Sequence, residues 1–182
     1  GCSSITSITY PVEITSHDKT VFTGCTGVTS LTIYGSGPMK DYTADNQPWN
    51  AIKGQLTSIT VQNTVTSIGN YAFEDAVKIT SFTIQSSITK IGNYAFYGCS
   101  KLTSITIPNT VLSIGTNVFQ NCAVLATVTL STKLTTIPNF AFASCPKITS
   151  ISIPTSVTSI GQQAFDSTGL TTIEIPSKVT SI

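Results

Sequence analysis

The chain has 182 residues and a mass of 19.2 kDa, which is enough for one domain with a hydrophobic core. Charged residues make up only 9% of it, and nine lysines, no arginine and eight carboxylates give a formal net charge of +1. Because the sequence has no basic cluster to hold phosphates, nucleic acid is excluded as a predicted partner. No apolar run reaches the roughly 18 residues that a membrane span needs, so none is predicted in this stretch.

The chain begins with an irregular copy of a repeat, ITSITYPVEITSHDKTVFTGCTG from Ile5, and a second copy opens with VTSLTI at Val28. Residues 1–4 match the last four positions of a preceding repeat, and Ile182 is position 13 of the repeat that starts at Leu170. We therefore predict a single solenoid over residues 1–182 that is cut within a repeat at both ends. Such ends fit either a slice of a longer array or a unit that stacks end to end on its neighbours.

Residues 34–55, YGSGPMKDYTADNQPWNAIKGQ, interrupt the repeat and form a predicted irregular insert. This insert concentrates Tyr34, Met39, Tyr42 and Trp49. Aromatic residues on an irregular loop are candidate anchors for a binding partner. Alternatively, they fold onto the adjacent coil and shield its edge.

Five regular repeats follow, starting at Leu56, Ile79, Leu102, Leu125 and Ile148, with a period of 23 residues that shortens to 22 in the last. Apolar residues recur at positions 1, 4, 6, 10, 13, 17, 18 and 21. The alternation of apolar positions 4 and 6 with polar positions 3 and 5 predicts a half-buried strand. Positions 10 and 13 are predicted to turn the chain back inward, and each phenylalanine at position 18 to stack on the next.

Two small residue types recur in the same register. Glycine at position 14, as in Gly69 and Gly115, indicates backbone angles that other residues avoid. The five cysteines, Cys2, Cys25, Cys99, Cys122 and Cys145, all fall at position 21, where other repeats have alanine or threonine. We predict a column of buried, reduced thiols, because parallel side chains on adjacent coils suit disulfide geometry poorly.

The pattern L-T-S-I-T-I-P-x-x-V-T-S-I-G-x-x-A-F-x-x-C resembles the BspA-like, or Treponema-type, leucine-rich repeat. The resemblance covers residues 56–182 repeat by repeat, and residues 5–55 more loosely. It implies a leucine-rich repeat solenoid of about seven coils, with a parallel β-sheet on the concave face and short turns or 3₁₀ segments on the convex face. It also implies a surface or secreted protein that adheres to host or microbial surface proteins, matrix proteins or glycans. No binding motif at the level of residues comes with the family.

In such a solenoid the outward residues of the strands form columns, which we call the hydroxyl face. Its candidate binding residues are Ser58, Thr60, Gln62, Ser81, Thr83, Gln85, Ser104, Thr106, Thr127, Thr129, Ser150 and Ser152. Extended concave surfaces are commonly used for binding by solenoids. Threonine is also a good strand former, so the same columns fit a sheet that binds nothing. Binding to an ice lattice is a third possibility, which concave curvature disfavours.

The sequence predicts no catalytic residue, metal site or cofactor. His17 is the only histidine and falls at position 13, where other repeats have isoleucine, so a nucleophile would lack a base. No pair of cysteines has the spacing of a zinc site. The predicted function is that of a non-enzymatic adhesion module, extracellular or on the cell surface. The alternative is a structural protein whose repeats stack end to end into a filament or coat.

Overall fold

The computed structural model describes residues 2–14 and 16–182, and these form a parallel β-solenoid of about seven coils in which equivalent residues are mostly 23 positions apart. Within the described residues the strands are β1 (Ser7–Pro11), β2 (Ser30–Tyr34), β3 (Gly37–Pro38), β4 (Ser58–Val61), β5 (Val65–Ile68), β6 (Lys90–Ile91), β7 (Ser104–Thr106), β8 (Ser113–Ile114), β9 (Thr127–Thr129), β10 (Thr136–Ile137) and β11 (Ser159–Ile160). Every pairing between these strands is parallel, as predicted.

The strands lie on two sides of each coil. Positions 3 to 6 supply the pairs β1–β2–β4 and β7–β9, which carry the hydroxyl face. Positions 10 to 13 supply the pairs β3–β5–β6–β8 and β10–β11, where the sequence predicted only that the chain turns inward. The second set forms because positions 10 and 13 are both buried, which keeps the backbone between them extended along the core and able to pair with the adjacent coil.

The third side of each coil consists of turns, and the one 3₁₀ helix in the described residues is Lys53–Gln55 in the insert. Positions 16 and 20 adopt left-handed backbone angles, as at Tyr71 and Asp75, where φ is 55° at both. These angles are unfavourable for residues with a side chain. They point alternate amide N–H groups along the stack, so that Tyr71 donates to the carbonyl of Asn93 and Asp75 to that of Tyr97, both at 2.8 Å. The hydrogen bonds between coils therefore offset the backbone cost.

The core contains the predicted apolar positions. Leucine or isoleucine at position 1 is fully buried in all five regular repeats, and so is the aliphatic residue at position 10. The phenylalanines at position 18 form the predicted ladder, with ring centroids 5.3–5.8 Å apart between successive members of Phe73, Phe96, Phe119, Phe142 and Phe165. Trp49 of the insert extends this ladder, with its ring centroid 6.1 Å from that of Phe73.

The explanation predicted for the position-14 glycines is wrong. Gly69, Gly92, Gly115 and Gly161 are not among the residues with positive φ. A Cβ atom would instead lie 1.9 Å from the Lys40 carbonyl oxygen at Gly69, and 2.4 Å from the Asn93 amide nitrogen at Gly115. Glycine is required because the backbone of the preceding coil approaches too closely for any side chain.

We expect Gly115→Ala to lower the free energy of unfolding by about 1–3 kcal/mol, because the new methyl group meets backbone atoms that cannot move without shifting a coil. Urea unfolding followed by circular dichroism measures the loss. Gly54→Ala is the matched control, since a Cβ at Gly54 has no heavy atom within 4 Å. Equal stability of the two variants would contradict the close-approach explanation.

Asparagines at position 15 connect successive coils. The Asn70 side-chain oxygen accepts a hydrogen bond from the Asn93 amide at 2.7 Å, and the Asn93 oxygen accepts one from the Thr116 amide at 2.9 Å. The Asp41 carboxylate of the insert accepts a hydrogen bond from the Asn70 amide at 2.8 Å. These side chains satisfy amide groups at the bend where the backbone cannot pair directly.

The prediction of five reduced cysteines is wrong for one pair. Cys2 and Cys25 form a disulfide, with Cα atoms 4.6 Å apart, because the 23-residue period brings position 21 of adjacent coils within bonding range. Cys99, Cys122 and Cys145 are free and buried, as predicted. In these three coils each thiol lies 3.1–3.3 Å from the phenylalanine carbonyl oxygen 26 residues earlier, which accepts its hydrogen bond.

We expect Cys2→Ala to destabilise the first coil by about 3 kcal/mol, because the disulfide closes a loop of 23 residues in the unfolded chain. Hydrogen exchange of residues 5–27 should accelerate, while exchange in the coils from Leu102 onward should not change. Alkylation of the unfolded, unreduced protein should label three thiols, and labelling of all five would contradict the assignment.

The insert follows the path of an ordinary coil. Its β3 strand pairs with β5, and the amides of Met39 and Tyr42 donate to the carbonyls of Ser67 and Asn70 at 3.1 and 3.0 Å. Residues 34–55 therefore complete the far side of the coil that begins at Val28, which is 28 residues long instead of 23. The extra residues lengthen the turns and leave the stacking of the coil unchanged.

Candidate functional site

The hydroxyl face is a set of exposed polar columns on the β1–β2–β4 and β7–β9 side of the solenoid. Its position-3 and position-5 residues are all exposed, namely Ser58, Thr60, Ser81, Thr83, Ser104, Thr106, Thr127, Thr129, Ser150 and Ser152. At position 7, Gln62 is exposed and Gln85 half-buried. Parallel pairing keeps the columns in register, with Ser104 opposite Thr127 and Thr106 opposite Thr129. The structure thus brings the twelve predicted residues onto one surface.

The sheet under this face is interrupted at the coil that starts at Ile79. Within the described residues, no backbone hydrogen bond joins the segment Ser81–Ile84 to β4. Phe82 stands at position 4 of this coil, where the other regular repeats have isoleucine or valine. Its ring centroid lies 5.2 Å from that of Phe73 and 4.8 Å from that of Phe96. Phe82 therefore fills the core between two rings of the aromatic ladder.

Two depressions flank the segment Ser81–Ile84. One, of about 300 Å³, lies between β4 and Ser81–Thr83 and is lined in part by Thr60 and Gln85. The other, of about 360 Å³, lies between Ser81–Ile84 and the next coil, with Ser104 and Thr106 on its wall. Hydroxyl and amide groups in such depressions both donate and accept hydrogen bonds. The middle of the face is therefore grooved and polar.

The hydroxyl face carries no charged side chain from Ser7 in the first coil to Ser152, and the first carboxylate in a face column is that of Glu174. The residues that the structure describes contain no group of three or more histidine, cysteine, aspartate or glutamate residues able to hold a metal ion. The chemistry available on the face is hydrogen bonding by neutral groups.

The insert residues predicted as anchors are placed differently from one another. Met39, Tyr42 and Trp49 are buried, with exposed fractions of 4%, 7% and 0%, whereas Tyr34 is 38% exposed. Trp49 donates its indole N–H to the Ala72 carbonyl at 2.7 Å, and burial raises the pKa of the Tyr42 hydroxyl. Three of the four side chains thus close the hydrophobic core, and only Tyr34 is accessible to a partner.

A polar cluster that sequence reasoning missed attaches the insert to the next coil. The Lys53 ammonium lies 3.2 Å from the Glu74 carboxylate and donates to the Ala44 carbonyl at 3.1 Å. Gln47, which is fully buried, donates to the Tyr71 carbonyl at 2.7 Å. Burial raises the pKa of the Glu74 carboxyl, while the ammonium of Lys53 opposes this shift. The sequence signal was the pairing of a glutamate at position 19, Glu74, with a lysine in the insert, Lys53.

His17 has a structural role. Its ring Nε2 lies 2.6 Å from the Asn46 carbonyl oxygen, which accepts the hydrogen bond, and its centroid lies 5.8 Å from that of Tyr42. These contacts hold the first coil against the insert. Among the described residues, no serine or cysteine side chain is hydrogen-bonded to His17.

Comparison with known families decides the class of the repeat. A model of the BspA type leucine rich repeat region, in six copies, matches residues 1–76 and 66–182 and so spans the chain. The chain belongs to the BspA-type leucine-rich repeat family. Among curated proteins, none matches this BspA-type chain in sequence.

Solved structures of bacterial leucine-rich repeat proteins are similar to the BspA-type chain. A protein from Bacteroides ovatus has a TM-score of 0.69 at 24% identity, over 96% of this chain and 52% of its own. The T. pallidum leucine-rich repeat protein has a TM-score of 0.62 at 19% identity, over 86% of this chain and 66% of its own. A leucine-rich cell surface protein from Faecalibacterium prausnitzii has a TM-score of 0.57 at 20% identity, over 98% of this chain and 75% of its own.

At these identities the solved structures show the fold, and they confirm the predicted leucine-rich repeat solenoid. The BspA-type chain spans about half the length of the B. ovatus protein and about two thirds of the T. pallidum protein. In residues 2–14 and 16–182, no helix has the length and hydrophobicity needed to cross a membrane. Membership of a repeat family of this kind makes the chain a protein-interaction module.

Proposed function

We propose that the chain is a non-enzymatic adhesion module that binds its partner through the hydroxyl face. The observation that carries the proposal is the exposure, in register and without charge, of hydroxyl side chains over consecutive coils. Each coil contacts only its neighbours, so the columns extend along the whole stack and offer a long surface. A partner that makes one weak hydrogen bond per coil gains affinity from repetition.

The disulfide supports a location outside the cytoplasm. Cys2 and Cys25 are bonded, and disulfides persist mainly in secreted and cell-surface proteins. The similar protein from F. prausnitzii is described as a cell surface protein. We place this chain in the same setting, where the partners would be host or microbial surface proteins, matrix proteins or glycans.

The test compares two pairs of bulky, uncharged substitutions on exposed threonines. Thr83→Tyr with Thr106→Tyr blocks the middle of the hydroxyl face. Thr89→Tyr with Thr135→Tyr, at position 11 on the other strand-bearing side, is the control pair. Tyrosine is a good strand former, so both variants should fold. Binding to immobilised matrix proteins, mucins and cultured cells should fall about tenfold or more in the first variant only.

Two results would overturn the proposal. Loss of binding only in the control variant would move the site to the β5–β6–β8 side, and binding unchanged in both would move it to Tyr34 or the turns. The alternative function, stacking into a filament or coat, predicts elongated polymers in electron micrographs of the purified chain at low concentration. Monomers in those micrographs, together with face-dependent binding, would support adhesion.

A further inference from the structure

The charges of this chain are separated along the stack of coils. Residues 76–165 contain five lysines and no aspartate or glutamate, and the nearest carboxylates on either side are Asp75 and Asp166. The formal net charge of the whole chain is only +1 because carboxylates outside this stretch offset the charge of its lysines. The separation is evident only when charge is counted coil by coil.

Three of the five lysines form a column along one edge of the hydroxyl face. Lys78, Lys101 and Lys147 all stand at position 23, three residues before the outward position-3 serine of the following coil, and all three are exposed. We call them the lysine column. Since coils stack roughly 4.8 Å apart, Lys78 and Lys101 lie on adjacent coils, and Lys147 follows two coils later with Val124 between them.

No ion pair of the lysine column is present in the part of the chain that the structure describes. Among the described residues, the ion pairs are those of Lys53 with Glu74 and Asp75. Asp75 is the acid nearest to Lys78 in the chain, and its carboxylate is 3.9 Å from the Lys53 ammonium. A row of like charges without compensation creates a positive potential along its edge, which attracts an anionic partner.

We propose that the lysine column, together with the adjacent hydroxyl face, binds an acidic polysaccharide, a sugar chain with regularly spaced sulfate or carboxylate groups. This inference rests on the proposed function and names the class of partner. The lysines would contact the acidic groups, while outward hydroxyls such as Ser81 and Ser104 would hydrogen-bond the sugar hydroxyls. The depressions beside Ser81–Ile84 are on the hydroxyl face, have Ser81 on their walls and would seat part of the sugar chain.

The chemistry of the face favours a polysaccharide over an acidic protein. Protein interfaces depend on aromatic or aliphatic anchors that become buried at their centre. The apolar side chains at positions 4 and 6 of the regular coils point into the core, and the outward residues on these strands are serine and threonine. A polysaccharide presents hydroxyls and charges at a constant repeat, which matches columns that recur once per coil.

The test uses heparin as the sulfated probe, dextran as the neutral sugar control and polyglutamate as the acidic polypeptide control. The variant Lys78→Gln with Lys101→Gln is compared with Lys90→Gln with Lys133→Gln, which removes the same charge outside the column. We expect heparin affinity to fall about tenfold in the first variant and less than about twofold in the second.

Val124→Lys, which fills the gap in the column, should strengthen heparin binding severalfold. Binding should disappear near 1 M salt, where the Debye length is about 3 Å.

Equal losses in the two double variants would overturn the inference, because net charge alone would then explain binding. Preference for polyglutamate over heparin would overturn it in favour of an acidic protein, and so would a failure to bind heparin at all. The proposed function is tested separately. If the Lys78→Gln, Lys101→Gln variant still binds cells and the Thr83→Tyr, Thr106→Tyr variant does not, the result supports adhesion through the hydroxyl face. It contradicts the assignment of an acidic polysaccharide as the partner. If heparin binding falls in the Lys78→Gln, Lys101→Gln variant but not in the Thr83→Tyr, Thr106→Tyr variant, the lysine column binds heparin and the hydroxyl face does not contribute.

Discussion

Phe96→Ala should lower the free energy of unfolding by about 3–5 kcal/mol, because it removes a fully buried ring from the middle of the aromatic ladder. The Phe96 ring contacts Phe73 and Phe119 in the coils on either side, and Phe82 within its own coil. Truncation leaves a cavity that neighbouring coils cannot close without losing the hydrogen bonds between them. Calorimetry should show a melting temperature lower by roughly 10 °C in a chain of this length.

Phe165→Ala is the matched control for this variant. Phe165 is half-buried and, among the described residues, stacks on one ring, that of Phe142 at 5.8 Å. Its truncation should therefore cost less than half as much as that of Phe96. If the two variants lost equal stability, the ladder would not be acting as a chain of mutually buried contacts, and the destabilisation would have to come from the backbone turns.

Trp49→Ala should have a comparable effect, about 3–5 kcal/mol, and should act on the boundary between the insert and the coil at Leu56. Trp49 is fully buried, contacts Phe73, Tyr10 and Tyr42, and donates its N–H to the Ala72 carbonyl. Without the indole, the ladder loses its first ring, and the coil at Val28 loses its aromatic contact with Phe73 and its hydrogen bond to Ala72 in the next coil. Urea unfolding measured by circular dichroism should become broader, since the first two coils would unfold at lower urea than the rest.

Trp49→Phe separates packing from hydrogen bonding at this site. It keeps an aromatic ring on Phe73 but leaves the Ala72 carbonyl without the indole donor, so we expect a loss of about 1–3 kcal/mol. Because Trp49 is the only tryptophan, its fluorescence in the unmodified protein reports directly on this junction. A blue-shifted emission that moves to the red before the far-ultraviolet signal changes would show the insert opening first. An emission maximum typical of exposed tryptophan in the folded protein would contradict the burial of Trp49.

The sequence alone determined the repeat and its core. The 23-residue spacing, the alternation around position 4 and the recurrence of alanine-phenylalanine gave the parallel strands and the ring ladder, because a stack of equivalent coils buries equivalent positions. The same periodicity placed Thr60, Thr83 and Thr106 in one exposed column. These features follow from local pattern repeated in space, so no knowledge of distant contacts was needed to predict them.

The tertiary structure decided everything that depends on the distance between neighbouring coils. It showed that Gly115 is required by the approach of Asn93, and that Cys2 bonds to Cys25 while Cys122 and Cys145 stay free. It also turned Trp49 from a candidate anchor into a core residue. A one-dimensional pattern specifies which side chains face inward. It does not specify backbone separations, thiol directions or the path of an irregular coil, because these are set by packing against residues 23 or more positions away.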